Sequence, residues 1–169
     1  MKINRPPFLN PDQDINLNCG LLLLTILSLG KSTRGIPLLN NDRLLIFLYI
    51  LKNPIILESV LDQVGRREIS LTNIELFSIN SISINLDPLF DRDWLKSLLM
   101  MVSSLGYIET KYRKVDGFMY LLTSAGQYAA ERLEGPYFDR IKVYLKNLEL
   151  MKSEPTQNLN RLINNIFRH

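Results

Sequence analysis

The sequence predicts a mainly α-helical protein with a small β-wing, that is, a winged helix-turn-helix core carrying extra N- and C-terminal helices. Three observations predict it. Apolar residues recur at helical spacing in segment after segment. Two strand-like runs, residues 107–112 and 117–122, are joined by Arg113-Lys114-Val115-Asp116, and Asp116-Gly117 is a strong hairpin signal. The order helix, Gly106, strand, turn, strand, Thr123, helix is that of the second half of a winged helix. A two-stranded ribbon is not stable alone in water, so its apolar side must lie against the helices.

The elements follow in order. Residues 1–14 contain Pro6, Pro7 and Pro11 and no helical period, and read as an extended arm laid over the domain or a partner. A helix is expected over 16–29, apolar nearly all round because it is central, and stopped by Gly30. A polar loop follows. The second helix starts near Asn41 or Asp42, either of which can cap it, and ends before Pro54. The third, over 54–64, has proline in its first turn and buries Ile56, Leu57, Val60, Leu61 and Val64. In the stretch 66–86, residues 72–77 suit a helical turn. Ile82, Ile84 and Leu86 alternate with Ser83 and Asn85, a strand signal.

The next helix is capped by Asp91, with Trp94, Leu95, Leu98, Leu99, Val102 and Leu105 along one side. After the hairpin, Thr123 or Ser124 caps a helix reaching Leu133, and Gly135-Pro136 opens another that reaches Met151. The last helix carries Leu159, Leu162, Ile163, Ile166 and Phe167 on one face. The chain thus divides into the arm (1–14), a helical domain containing the winged helix (15–134), and C-terminal helices (135–169) packed on the domain or on a partner.

Composition narrows the function. One cysteine among 169 residues excludes an internal disulfide. The single histidine, His169, is the last residue given, which disfavours a histidine base and metal sites of Cys and His. No run approaches the ~20 apolar residues of a membrane span. Asp12, Asp14, Asn16 and Asn18 precede the leucine run where a signal peptide would place basic residues. A cytoplasmic protein without membrane contact is expected, and the free Cys19 agrees with a reducing compartment.

The net charge of +3 permits an anionic partner without requiring one. A helix that reads bases needs Arg, Lys, Asn or Gln at its exposed positions. The helix after Asp91 offers Lys96 and opens with Asp91 and Asp93, which repel phosphate. The wing is better suited, since Lys111, Arg113 and Lys114 surround Tyr112, and Arg66-Arg67 is a second pair. These five cations are the candidate contacts to double-stranded DNA. Solvation of a turn and a loop is the plainer reading of them.

Gly30-Lys31-Ser32-Thr33 matches the end of a P-loop, but the earlier glycine is replaced by Thr25 and a helix stands where a strand should. Asp87, Asp91 and Asp93 lack a further ligand at calcium-loop spacing. Cys19 reads as apolar filler and Trp94 as core. No catalytic constellation, cofactor site or metal site is expected.

The run Asn4-Arg5-Pro6-Pro7-Phe8-Leu9-Asn10-Pro11, then Cys19-Gly20 opening a leucine-rich helix, then Gly35-Ile36-Pro37-Leu38 and the apolar helix after Asp42-Arg43, resembles the middle component of bacterial ABC-three-component systems. Those systems include Lamassu-type anti-phage defences. The resemblance implies a non-catalytic accessory subunit that bridges an SMC- or Rad50-like ATPase and an effector, commonly a nuclease, and reaches DNA through the complex. Candidate partner contacts are Pro6, Pro7 and Phe8 of the arm and Leu159, Leu162, Ile163, Ile166 and Phe167 of the last helix. For that helix, packing inside the chain is the ordinary fate of an amphipathic face. The alternative function is a dimeric winged-helix transcription regulator binding duplex DNA.

Overall fold

The computed structural model describes residues 13–66, 69–76 and 84–168. The described residues are mainly helical, with one small two-stranded antiparallel sheet among them.

Helix α1 (Ile15–Leu29) is the centre of the packing. Asp14 caps it, its carboxylate accepting from the backbone of Asn16 at 2.9 Å and Leu17 at 3.2 Å. Leu21, Leu22, Leu24 and Leu29 are almost wholly buried, so the helix is apolar around its circumference, as a central helix must be. Helices α2 (Asn41–Lys52) and α3 (Pro54–Gln63) follow. Asn40 caps α2, its Oδ1 accepting from Arg43 N at 3.0 Å. This corrects the expected cap by one residue: the side chain must reach the amide three positions on, and Asn40 is the residue left extended. α2 and α3 meet at Asn53-Pro54 with a 109° bend. Proline lacks the amide that would continue α2 and opens α3 instead. No single helix among the described residues is long and apolar enough to cross a membrane.

A one-turn helix, α4 (Asn73–Leu76), opens with a capping box. Thr72 N donates to the Glu75 carboxylate at 2.7 Å, and Glu75 N donates to Thr72 Oγ1 at 3.3 Å. The strand expected over 82–86 is not formed by its described part. Residues 84–86 are irregular and lead into a 3-10 turn, Asp87–Phe90. The cause is local: Asn85 Oδ1 accepts from Asp87 N at 2.9 Å and Pro88 follows, so the backbone turns before any partner strand is reached.

Helix α5 (Arg92–Ser104) begins at Asp91, whose carboxylate accepts from Trp94 N at 2.9 Å. It buries Leu95, Leu98, Leu99 and Val102. Strands β1 (Ile108–Arg113) and β2 (Gly117–Leu122) pair antiparallel, with Ile108 opposite Leu122 and Arg113 opposite Gly117. The turn between them is residues 114–116, and Gly117 at φ +77° supplies the left-handed conformation that closes it. Beyond the strand ends, Thr123 N donates to Tyr107 O at 3.0 Å, and on the far side of β2, Tyr120 N donates to Leu39 O at 2.9 Å.

Thr123 is the cap of α6 (Ser124–Glu131), accepting from Gly126 N at 3.1 Å and donating to Gly106 O at 2.6 Å. Gly126 lies against the Tyr107 carbonyl, which a Cβ would meet at 1.9 Å, so hairpin and helix join through a gap only glycine fits. Helix α7 (Pro136–Leu148) continues through a 3-10 turn, Glu149–Met151, to α8 (Thr156–Ile166). α1 touches α2, α5, α6, α7 and β2, while α8 packs on α3 and α2. The core joins Phe47 and the leucines of α1 and α2 to Ile141, Leu145 and Leu148 of α7 and to Leu159 and Ile163 of α8.

Candidate interaction surface

The hairpin and α5 enclose a groove. It holds about 600 Å³ and is lined on one side by Leu95, Lys96, Leu99 and Met100 and on the other by Ile108, Thr110 and Tyr120. The pleat explains why. Ile108, Thr110 and Tyr112 share one face of β1, and Tyr120 comes from β2 opposite Thr110. Tyr120 is anchored, its hydroxyl donating to Asn41 Oδ1 at 2.8 Å. At the hairpin end, Tyr112 and Phe118 pair edge to face at 5.4 Å and are 69% and 56% exposed. Met100 is 63% exposed. The surface is therefore mixed, with Met100 exposed between Arg92, Asp93 and Lys96 and aromatic side chains at the hairpin end.

The four described candidates for phosphate contact are not brought to one place, since Arg66 lies away from Lys111, Arg113 and Lys114 of the wing. Lys111 lies 3.8 Å from Glu109, and Arg113 lies 3.3 Å from Asp116 while also donating to Pro37 O. Two of the three wing cations thus face carboxylates, which weakens any phosphate-directed field. Lys114 stands in the turn. Arg66 follows α3, which packs on α2, α4 and α8, whereas the hairpin packs on α1, α5 and α6. Arg67 lies outside the described residues, as do Pro6, Pro7 and Phe8.

The apolar face of α8 is turned inward. Leu159 and Ile163 are each 1% exposed, and Leu162, Ile166 and Phe167 are half-buried against the same core. Arg43 fixes this docking. Its buried guanidinium donates to the carbonyls of Lys152 and Glu154 in the turn before α8, and its carbon lies 5.7 Å from the Phe47 ring centre. Burial pulls its pKa down, opposed by Asp116 and Glu154.

A second polar cluster was only partly legible in the sequence. Glu75 of α4 accepts from Arg140 Nε at 2.7 Å and Nη2 at 2.8 Å, and from the Tyr144 hydroxyl. Arg140 also donates to Ser70 O at 2.8 Å. Burial alone would raise the Glu75 carboxyl, but hydrogen bonds from Arg140, Tyr144 and Thr72 hold it at about 2. Burial and the same carboxylate push Tyr144 up. The cluster straps 69–76 onto α7. Thr72-Asn73-Ile74-Glu75 is the sequence pattern that marks its start.

The loop after Gly30 is a small closed turn. Ser32 N donates to Ile36 O at 2.9 Å and Ser32 Oγ accepts from Arg34 and Ile36, so its hydroxyl caps its own loop. Cys19 Sγ lies 3.5 Å from Met101 Sδ, and burial raises its thiol. Trp94 packs on the core under Lys52, whose ammonium sits 4.7 Å from the ring centre. Among the described residues no group of His, Cys, Asp and Glu could hold a metal ion.

Comparison with known proteins adds one finding. The family described as ABC-three component (ABC-3C) system Middle Component 4 matches residues 29–161, from the end of α1 into α8. No curated protein and no solved structure matches.

Proposed function

The chain belongs to the middle component 4 family of ABC-three-component systems, and from that premise we propose that it is a non-catalytic bridging subunit of an anti-phage defence complex. Membership gives it an accessory role in such a system and makes the system's other components its partners. In the fuller reading it binds an SMC- or Rad50-like ATPase in the cytoplasm and helps to control an effector nuclease, as in Lamassu-type systems. The observation that carries this is the family match over most of the helical body.

Two further features support it. The core is a winged helix over Asp42 to Leu133 in this reading: α2 and α3, a long stretch holding α4 and a 3-10 turn, then α5, the hairpin and α6 follow one another, and Leu39 bonds to β2. The face where a DNA-reading helix would work sets Leu99 and Met100 beside Arg92, Asp93 and Lys96, and Arg92 is paired with Asp42 at 3.1 Å, so its exposed apolar side chain, Met100, is available to a protein.

Co-expression with the other components of its own system tests the proposal. The tagged chain should retain the ATPase component through size exclusion at physiological salt. Elution of the chain alone, with the ATPase folded and present, would overturn it.

A further inference from the structure

We propose that the pocket between the start of α2, the 3-10 turn Asp87–Phe90 and α8 binds an adenine base, stacked on Phe90 and held along its edge by the carboxamides of Asn160 and Asn164. The pocket holds about 400 Å³, within the ~300–1,000 Å³ of small-molecule sites. Its floor is apolar and fixed in the core, since Ile46 is 3% exposed and Ile163 1%. Its polar side chains are the exposed ones, so they stand toward the mouth.

Phe90 supplies the stacking surface. Pro88 opens the turn, Leu89 packs on the core, and the ring beside it is left 76% exposed. Every base has a flat face that stacks on such a ring.

The carboxamides supply the edge. Asn160 and Asn164 are one turn apart on α8, so they share a side of it. Asn158 and Asn165 of the same helix are used by the fold, donating to Glu154 and Gln63. Asn160 and Asn164 make no side-chain hydrogen bond among the described residues. A carboxamide offers a donor beside an acceptor, which matches the amino group and ring nitrogen of adenine.

Charge and shape select against other occupants. Asp42 and Arg92 pair at 3.1 Å, so the mouth is electrically balanced. Asp87 and Asp91 border the same Phe90 ring, and a phosphate would meet them unfavourably. A cationic side chain would lie on Phe90 beside these carboxylates but would leave the carboxamide donors unused. An apolar side chain would leave both carboxamides unpaired. An uncharged ring with a donor beside an acceptor uses every wall, and adenine offers it on two fused rings where cytosine has one. The site is built from this chain alone and stands apart from the assembly role, so either can fail without the other.

The test is a chemical-shift titration of the full chain with adenosine, with cytidine and N-acetyl-lysine methylamide as comparators. Adenosine should bind with a dissociation constant on the order of 0.1 mM, ordinary for so small a ligand, and should move the amide signals of Phe90, Asn160 and Asn164. Phe90→Ala should weaken it about tenfold, the loss of one stacked ring. Asn160→Ala combined with Asn164→Ala should weaken it by a similar factor. Circular dichroism checks that each variant folds, and the asparagine pair decides alone if Phe90→Ala does not.

A short single strand of deoxyadenylate forms the second arm. Binding tighter than adenosine, with the same dependence on Phe90, identifies a base displayed in a strand. Binding no tighter identifies the free nucleoside. The proposal is overturned if neither ligand binds at about tenfold above the expected constant, if cytidine or the lysine compound binds as well as adenosine, or if binding is indifferent to the substitutions.

Discussion

Glu75 shows how one carboxylate can hold a segment that buries little. Ile74 beside it is 84% exposed, so α4 is not kept in place by its own apolar residues. The hydrogen bonds to Arg140 and Tyr144 hold it. The carboxyl is lowered from the ordinary 4.5 to about 2 on folding. A carboxyl lowered by folding stabilises the folded state fully above its unfolded value, and that stability is lost as pH falls toward the folded value. Urea unfolding of the parent should therefore weaken between pH 4.5 and 2 by a share that Glu75→Gln lacks. At pH 7 the substitution should cost about 1–3 kcal/mol. Equal pH slopes in the two proteins would show that Glu75 contributes nothing. The sequence holds half of this cluster. Thr72 and Glu75 form a capping pattern three residues apart, whereas Arg140 lies 65 residues from Glu75 and nothing local points to it.

At the scale of elements, legibility followed the reach of the interaction. Asp91 and Thr123 were readable as caps because a cap needs only an oxygen and an amide within a single turn. The start of α2 was displaced by one residue because Asn40, Asn41 and Asp42 are all competent caps, and only the backbone at Asn40 decides. The strand expected over 82–86 has the right alternation, but its described part, residues 84–86, pairs with no strand. Alternation describes a surface to be covered, not the element that covers it. Thr123 can be weighed directly. Thr123→Ala removes the bond from Gly126 and the bond to Gly106, which join α6 to the end of α5. It should cost about 1–2 kcal/mol in denaturant unfolding, and Thr123→Ser should recover most of it. If serine fails to rescue, the loss is one of packing rather than capping.

At the scale of the whole molecule, α8 belongs to the body. The sequence offered its apolar face either to the chain or to a partner, and periodicity alone cannot separate these uses, because both need the same stripe. Burial of Leu159 and Ile163 assigns that face to the core. Ending the chain after Met151 should cost about 3 kcal/mol or more, from two lost core side chains and an uncompensated buried cation. Thermal unfolding followed by circular dichroism would measure it. An unchanged, cooperative transition would place α8 outside the cooperative unit.

Arg43 has a consequence for how the chain is made. Its guanidinium and the Glu154 carbonyl are 111 residues apart in sequence. A protein synthesised from its N-terminus has α2 in hand long before the turn that receives this cation exists. Until then the charge must stay hydrated, because sealing it into the forming core without acceptors is unfavourable. α2 therefore settles fully on its neighbours only once residues 152–154 have been made, and closure of so long a loop is slow compared with helix formation. A turn far along the chain thus sets when the first half of the fold can close.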